Sequence, residues 1–298
     1  MYTIQEFDEH MASYVIVTPA RDEEAFIEKT FDSIIKQTVL PLKWVVVNDG
    51  SNDRTVEIIE RYRAQYPFIE LISSERLGGR DFGSKVHAFN LGLAVVHQLD
   101  YEYIGNLDAD ISLEPDYYER ILFEFSKDKK LGIAGGMVST TIEGKFVSQN
   151  VSLDSVAGAV QLFRRRCFEE IGGYLALALG GIDAAAEIMA RKIGWKVRTF
   201  PELRVLEHRR TGAATATPLA ARVKEGKRLY SLGYSFPFFF MRCLNRVKER
   251  PRIIGSAAAL CGYLGEAVKR APILLAPDVV EYLRSEQREK ILRFLKGS

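Results

Sequence analysis

Short apolar runs alternate with amphipathic stretches along the first two thirds of the chain. Residues 14–18 read Tyr-Val-Ile-Val-Thr and stop at Pro19, and residues 44–48 read Trp-Val-Val-Val-Asn and close with Asp49-Gly-Ser. Both runs are short, rich in β-branched residues and apolar at consecutive positions, as strands buried on both faces of a parallel sheet are. Residues 68–72, 103–107, 131–138 and 197–200 continue the series. Between the early runs lie segments of helical period. Ile27, Phe31, Ile34 and Ile35 share one face; Val56, Ile59, Tyr62 and Tyr66 share another, with Asp53 placed to cap; Val86, Phe89, Leu93 and Val96 mark a third. Strands alternating with helices predict an α/β fold, a mostly parallel sheet with helices on both faces. Ligands of such sheets bind at the carboxyl ends of the strands, so the loops at 19–24, 49–51 and 108–110 should converge on one edge.

The run at 103–107 delivers Asp108 and Asp110 one residue apart. In extended backbone, residues i and i+2 point the same way. Two carboxylates on one side of a strand end repel unless a cation lies between them, and Mg²⁺ or Mn²⁺ prefers one or two carboxylates plus substrate phosphates. The alternative is a polar exit into a turn, where Asp is common. The loop Gly78-Gly-Arg-Asp-Phe-Gly-Ser-Lys85 has Lys and Ser in the wrong order for a P-loop, and no Gly-x-Gly-x-x-Gly follows the first strand. It is either a connector entering a helix or a place where backbone N–H groups, Arg80 and Lys85 approach a diphosphate.

The whole chain has 298 residues, 27% of them charged, and a formal net charge of +2, which gives no global electrostatic case for nucleic acid. Its three cysteines, Cys167, Cys243 and Cys261, are odd in number and have no Cys-x-x-Cys spacing, which excludes a zinc ribbon and fits a reducing cytosol. The first ten residues show no basic segment followed by an apolar run, so no secretory leader is expected, and no uncharged apolar stretch is long enough to span a bilayer.

Three motifs in order carry a family resemblance: Tyr14-Val-Ile-Val-Thr-Pro-Ala-Arg-Asp-Glu-Glu, Val45-Val-Val-Asn-Asp-Gly-Ser-Asn-Asp and Leu107-Asp-Ala-Asp. Over residues 12–210 the chain resembles the inverting, nucleotide-sugar-dependent family 2 glycosyltransferases of the GT-A fold. The resemblance implies that Pro19, Ala20, Arg21 and Glu23 line the nucleotide pocket, together with Asp108 and Ala109. It implies that Asp49 accepts from the base (uracil in the commonest case), that Asp108 faces ribose or diphosphate, and that Asp110 holds Mn²⁺ or Mg²⁺. Arg21 and Asp22 stand where the family has Tyr and Asn. Gly172-Gly-Tyr174 and the later Gly194-Trp195 match further family features, and their spacing implies that Asp183 is the catalytic base, although Ile182 replaces the usual Glu. Asp183 also reads as a cap of the helix after it. Glu187, one turn on, is the fallback base, with an ion pair to Arg191 at i+4 as the preferred reading. By the same resemblance His208 completes the metal site or touches the diphosphate, and Arg209 and Arg210 neutralise phosphate or form a solvated turn.

A boundary near residue 214 divides the expected catalytic domain from a helical C-terminal region, 215–298. Between 222 and 252 it holds nine Lys/Arg against Glu225 and Glu249, around the aromatic block Tyr230-Ser-Leu-Gly-Tyr-Ser-Phe-Pro-Phe-Phe-Phe-Met241. Basic residues around aromatics point to a segment, 222–276, in a membrane interface; the alternative is helices packing on the catalytic domain or across a homodimer. The expected partners are thus a nucleoside diphosphate-sugar (a UDP-sugar first), a saccharide or lipid-linked acceptor and a membrane surface, on the cytoplasmic side. Nucleic acid is not expected. The rival readings are a sugar-1-phosphate nucleotidyltransferase and a non-catalytic, transferase-like scaffold subunit.

Overall fold

A computed structural model describes residues 13–74, 82–142, 145–148, 152–209, 217–247 and 251–296, and the account below concerns these. Strands β1 (Tyr14–Ala20), β2 (Lys43–Asn48), β3 (Ile69–Ser73) and β4 (Tyr103–Asn106) lie in the order β3-β2-β1-β4, all parallel. The alternation inside the apolar runs sorts the core into two layers. Tyr14, Ile16, Trp44 and Val46 face helices α1 (Ile27–Ile34), α2 (Thr55–Arg63) and α4 (Tyr117–Lys127). Val15, Val17, Val45 and Val47 face the opposite layer with α3 (Phe82–Val96), α5 (Arg165–Glu170) and α6 (Ile182–Lys192). Both faces are buried, which is why these strands need no polar positions.

Beyond β4 the sheet changes character. The three-residue β8 (Leu162–Arg164) runs antiparallel between β4 and β6 (Leu131–Ile142), and β6 pairs in parallel with the long β9 (Lys196–Glu207). The short β5 (Ile111–Leu113) closes that edge antiparallel to β9, and β7 (Lys145–Ser148) hangs off β6. The parallel half is as the sequence predicts. The other half is mixed, because β8 enters from a loop rather than from a crossover helix.

Four helices follow: α7 (Pro218–Ser231), α8 (Phe236–Asn245), α9 (Arg252–Val268) and α10 (Pro277–Leu295). They pack on the sheet domain: Leu232, Leu275, Val279, Val280 and Leu283 join the core layer of α6. A separate small core of Leu229, Phe239, Cys243, Ala259 and Tyr263 holds α7, α8 and α9 to each other. Among the described residues, no helix is long and apolar enough to cross a membrane.

Candidate active site

The loop leaving β1 is laced to the loop leaving β2. Asp22 adopts a left-handed backbone (φ 53°), tolerable for Asp, and its Oδ1 accepts the Asn52 amide at 2.8 Å. The Glu23 amide donates to Thr55 Oγ1 at 2.7 Å and the Glu24 amide to Asp53 Oδ2 at 3.0 Å. Asp53 also accepts the Thr55 amide at 3.0 Å. Its carboxyl sits below the ordinary range: burial opposes this, but hydrogen bonds from Thr55 and Glu24 prevail. Arg54, not Asp53, takes the cap position of α2 and makes no capping bond, so the cap reading is corrected: Asp53 precedes the cap, holds the Thr55 amide and ties the two loops together. Pro19, Ala20, Arg21, Glu23 and Asp49 come together as one wall, with the Asp49 amide bonded to Ala20 O at 2.9 Å. The Arg21 guanidinium, only 12% exposed, lies 4.0 Å from Asp49 Oδ2. Its buried Nε has no hydrogen-bond partner among the described residues, a donor left for a ligand.

A second wall comes from the turn after β4. Asp108 Oδ1 accepts from Lys85 Nζ at 2.5 Å, and Asn106 Nδ2 bonds Gly158 O at 2.5 Å. The buried Asn106 Oδ1 is a second polar atom with no hydrogen-bond partner among the described residues. Ala109 is buried, and its carbonyl takes the Thr30 hydroxyl at 2.8 Å. The chain then turns into β5, and Asp110 meets the end of β9: its carbonyl accepts the His208 amide at 2.9 Å. Burial, then Asp108 and Glu207, push the Asp110 carboxyl up to about 7, while Arg209 pulls it down. A desolvated carboxylate among other carboxylates suits a cation. Arg209 donates to Glu23 Oε2 at 2.6 Å and lies over the Phe26 ring at 5.4 Å, so it belongs to this site rather than to a solvated turn. The His208 ring stacks against Phe26 at 6.4 Å and shares a 2.7 Å hydrogen bond between Nε2 and Ser112 Oγ. Burial and Lys29 lower its pKa and favour the neutral, ligating form. Among the described residues, no group of three or more His, Cys, Asp or Glu could by itself hold a metal ion. A divalent ion at Asp110 would therefore complete its coordination with substrate phosphates and water.

The third wall is the start of α6. Gly181, in left-handed backbone (φ 88°), takes the cap position and Asp183 falls in the first turn without a capping bond, so the cap reading is corrected. A double glycine makes the bend that lets Asp183 project from an already formed helix. The Asp183 carboxylate lies against Gly158, where an added Cβ would meet Oδ2 at 3.1 Å. Glu187, 3% exposed, accepts the Val156 amide at 2.7 Å and Gln161 Nε2 at 3.2 Å, both at Oε1. Its Oε2 is 3.7 Å from Arg191, as the i+4 reading predicts, yet the backbone amide is the closer partner. Burial pushes Glu187 up to about 7, against the Val156 hydrogen bond and with help from Asp183. It is committed to holding the 156–161 segment.

The structure thus brings Asp108, Asp110, Asp183, Arg21, Asp49, Glu23, Lys85, His208 and Arg209 to one sheet edge; Arg80 and Arg210 lie outside the described residues. Sequence reasoning missed Tyr174 and Gln161. The buried Tyr174 hydroxyl donates to Gln161 Oε1 at 2.7 Å, and burial, then Asp183, Asp108 and Glu187, hold its pKa high. It lies within electrostatic reach of Asp183, Asp108 and Glu187, and its signal was the Gly-Gly-Tyr motif itself.

Residues 15–173 match the family model described as "Glycosyl transferase family 2". A chondroitin synthase of Pasteurella multocida (strain Pm70) is 35% identical over 116 residues, 39% of this chain but 11% of that protein, so the chain spans a small part of this relative's length. Two solved structures share the fold. The mannosyltransferase PcManGT from Pyrobaculum calidifontis, in complex with GDP-Man and Mn²⁺, has a TM-score of 0.55 at 18% identity, over 94% of this chain and 80% of that one. S. aureus TarS 1-349 in complex with UDP-GlcNAc has a TM-score of 0.55 at 14% identity, over 86% and 73%. The fold is therefore GT-A.

Proposed function

The chain belongs to glycosyl transferase family 2, and from that premise we propose that it is an inverting transferase moving a sugar from a nucleoside diphosphate-sugar to an acceptor hydroxyl. The observation that supports the reading is that two carboxylate sets, on separate elements, both lie within electrostatic reach of the buried Tyr174. Asp108 and Asp110 stand among the cations Lys85 and Arg209. Asp183 stands apart, at a helix start, with no ion pair to a basic residue among the described ones. Charge that gathers on a leaving diphosphate needs the first set; a proton leaving an acceptor hydroxyl needs the second.

In this reading Arg21 and Asp49 hold the base, and Pro19, Ala20, Glu23 and Ala109 shape its pocket. Lys85 approaches the diphosphate, and Asp110 with His208 would hold Mn²⁺ or Mg²⁺. The metal, when bound, would stabilise negative charge on the leaving diphosphate. Asp183 takes the acceptor proton as the hydroxyl oxygen bonds to the anomeric carbon. The bond from that carbon to the diphosphate oxygen breaks, giving an inverted glycoside and a nucleoside diphosphate. The acceptor is a saccharide or lipid-linked glycan in polysaccharide synthesis, a reading supported by the similarity to a chondroitin synthase. A UDP-sugar is the first donor to test.

A thermal-shift series with UDP-, GDP- and dTDP-sugars, with and without Mn²⁺, tests the reading. One donor should raise the melting temperature more with metal than without. No shift with any of them, or release of pyrophosphate rather than a nucleoside diphosphate on turnover, would overturn it.

A further inference from the structure

One side of α9 is pressed onto α7 more closely than any side chain allows. An added Cβ at Gly226 would lie 1.9 Å from Ala259 O, and one at Gly262 would lie 2.1 Å from Val223 O. The other side of α9 faces outward, and there the usual pattern is inverted. Ile254, Ala257, Cys261, Leu264 and Val268, spaced three and four residues apart, form one exposed stripe, with Ile254 65% and Val268 84% exposed. Solvent faces of helices in globular proteins are ordinarily polar. Between Arg252 and Lys269 the only charged residue is Glu266, which turns to Lys227 at 3.7 Å and Lys269 at 4.0 Å. Beside this stripe α8 adds Phe236, Phe240 and Leu244 at i, i+4 and i+8, all exposed, with Phe236 6.0 Å from Tyr263 of α9.

The segment that carries this apolar face has a large excess of positive charge. Residues 222–276 contain eleven Lys/Arg and three Glu, a net +8, in a chain whose total is +2, so the remainder carries −6. Arg252 stands at one end of the stripe, and Lys269 and Arg270 at the other. A symmetric second copy would set +8 against +8, and nucleic acid offers phosphates but nothing for the apolar stripe. A surface with acyl chains beneath anionic headgroups satisfies both features. We propose that the α8–α9 face docks on an anionic lipid surface, with α9 lying in the plane of the interface. At 17 residues, α9 is about 25 Å long and lies on the bilayer rather than crossing it.

The docking face is mechanically close to the candidate base. The end of α7 abuts the bend before α6: a Cβ on Gly181 would meet Leu232 Cδ1 at 3.1 Å and Arg228 Cδ at 3.2 Å. Lipid-facing α9, then α7, then the helix of Asp183 form one continuous stack. The docking face itself follows from the surface alone and does not rest on the transferase reading.

Vesicle flotation of the full chain tests it, using phosphatidylcholine alone and phosphatidylcholine with about three parts in ten phosphatidylglycerol, at about 0.1 M and 0.5 M salt. The chain should float with anionic vesicles at low salt and at least about tenfold less with neutral ones. The double variant Ile254→Glu/Val268→Glu, at two exposed positions, should keep its circular dichroism and melting temperature and lose binding at least about tenfold. Lys269→Glu/Arg270→Glu should lower affinity by about fivefold per charge and flatten the salt dependence. The proposal is overturned by failure of the chain to float with anionic vesicles, or by unchanged flotation of the Ile254/Val268 variant. It is equally overturned if those substitutions instead abolish a lipid-free self-association seen by light scattering, or if duplex RNA binds more tightly than the vesicles. A chain that floats yet binds no nucleotide-sugar would sink the transferase reading and leave this one standing.

Discussion

Glu187→Gln separates the two carboxylates on α6 by a measurement that needs no substrate. Glu187 is 3% exposed, and its pKa is pushed from an ordinary 4.5 up to about 7, first by burial. A folded-state pKa above the unfolded one means that the native protein keeps a proton which the unfolded chain has released. Between about pH 4.5 and 7 the native state therefore binds more protons, and stability falls as pH rises, levelling off above the folded pKa. The difference between 7 and 4.5 corresponds to about 3 kcal/mol, at roughly 1.4 kcal/mol per unit. Gln carries no charge to desolvate and keeps a carbonyl oxygen for the Val156 amide and Gln161. Arg191 retains Glu286, at 2.9 Å. The variant should match the parent near pH 4.5 and be more stable by up to about 3 kcal/mol at pH 8. Urea unfolding followed by circular dichroism at pH 5, 6, 7 and 8 gives both curves, and titrating groups not coupled to Glu187 cancel in their difference. Parallel curves, or a Gln variant that is the less stable at pH 8, would refute the reasoning and make Glu187 an ionised partner of Arg191.

The remaining predictions concern the site itself. Asp183→Asn should leave donor affinity within about twofold and cut transfer by 10²–10⁴, on the order expected for loss of a general base; near-normal turnover would remove Asp183 from that role. Asp110→Ala should weaken Mn²⁺-dependent donor binding by about tenfold or more while metal-free nucleotide binding holds, and titration calorimetry showing equal affinities with Mn²⁺ would rule out a ligand role. Gly158→Ala would set a Cβ 3.1 Å from the Asp183 carboxylate, which must shift by a few tenths of an ångström. Transfer should fall by about tenfold with unchanged donor affinity, and an unchanged rate would show that the carboxylate position is not critical.

What the sequence revealed and what it hid follow from how local each signal is. Strands β1 and β2 were legible because both their faces are buried, so every residue of the run reports the same environment. Convergence of three loops followed from parallel topology alone. Strand β9 was read as only 197–200, because Pro201 and the exposed Glu202 interrupt it; the register against β6 slips there, between Gly136 and Met137, and the strand resumes to Glu207. Strand β8 has three residues, too few for any period to register. The Arg209–Glu23 pair joins positions 186 apart, and such a contact leaves no pattern in either neighbourhood. The sequence prefers Asp183 as base and leaves a cap compatible with it; that Gly181 holds the cap position is visible only in the fold.

Two of the site's carboxylates, Asp108 and Glu23, are paired with the protein's own cations, and that pairing has a consequence for the proposed function. Lys85 neutralises Asp108, and Arg209 is shared between Glu23 and the field of Asp110. On the proposed reading, a diphosphate entering between these walls would compete for the same two cations, because it offers more oxygens and more charge than either carboxylate. Drawing Lys85 towards phosphate would strip Asp108 of its partner, and drawing Arg209 away would remove the one cation that opposes burial, Asp108 and Glu207 in raising Asp110 to about 7. Anionic donor and divalent cation are thereby coupled: each makes the other's place in the site less costly, so their binding is expected to be cooperative. Asp183 lies outside this exchange, since neither cation touches it among the described contacts. On the proposed reading, a base at Asp183, beyond the pairs that a donor would rearrange, would keep its position for the acceptor whichever donor state the first two walls are in.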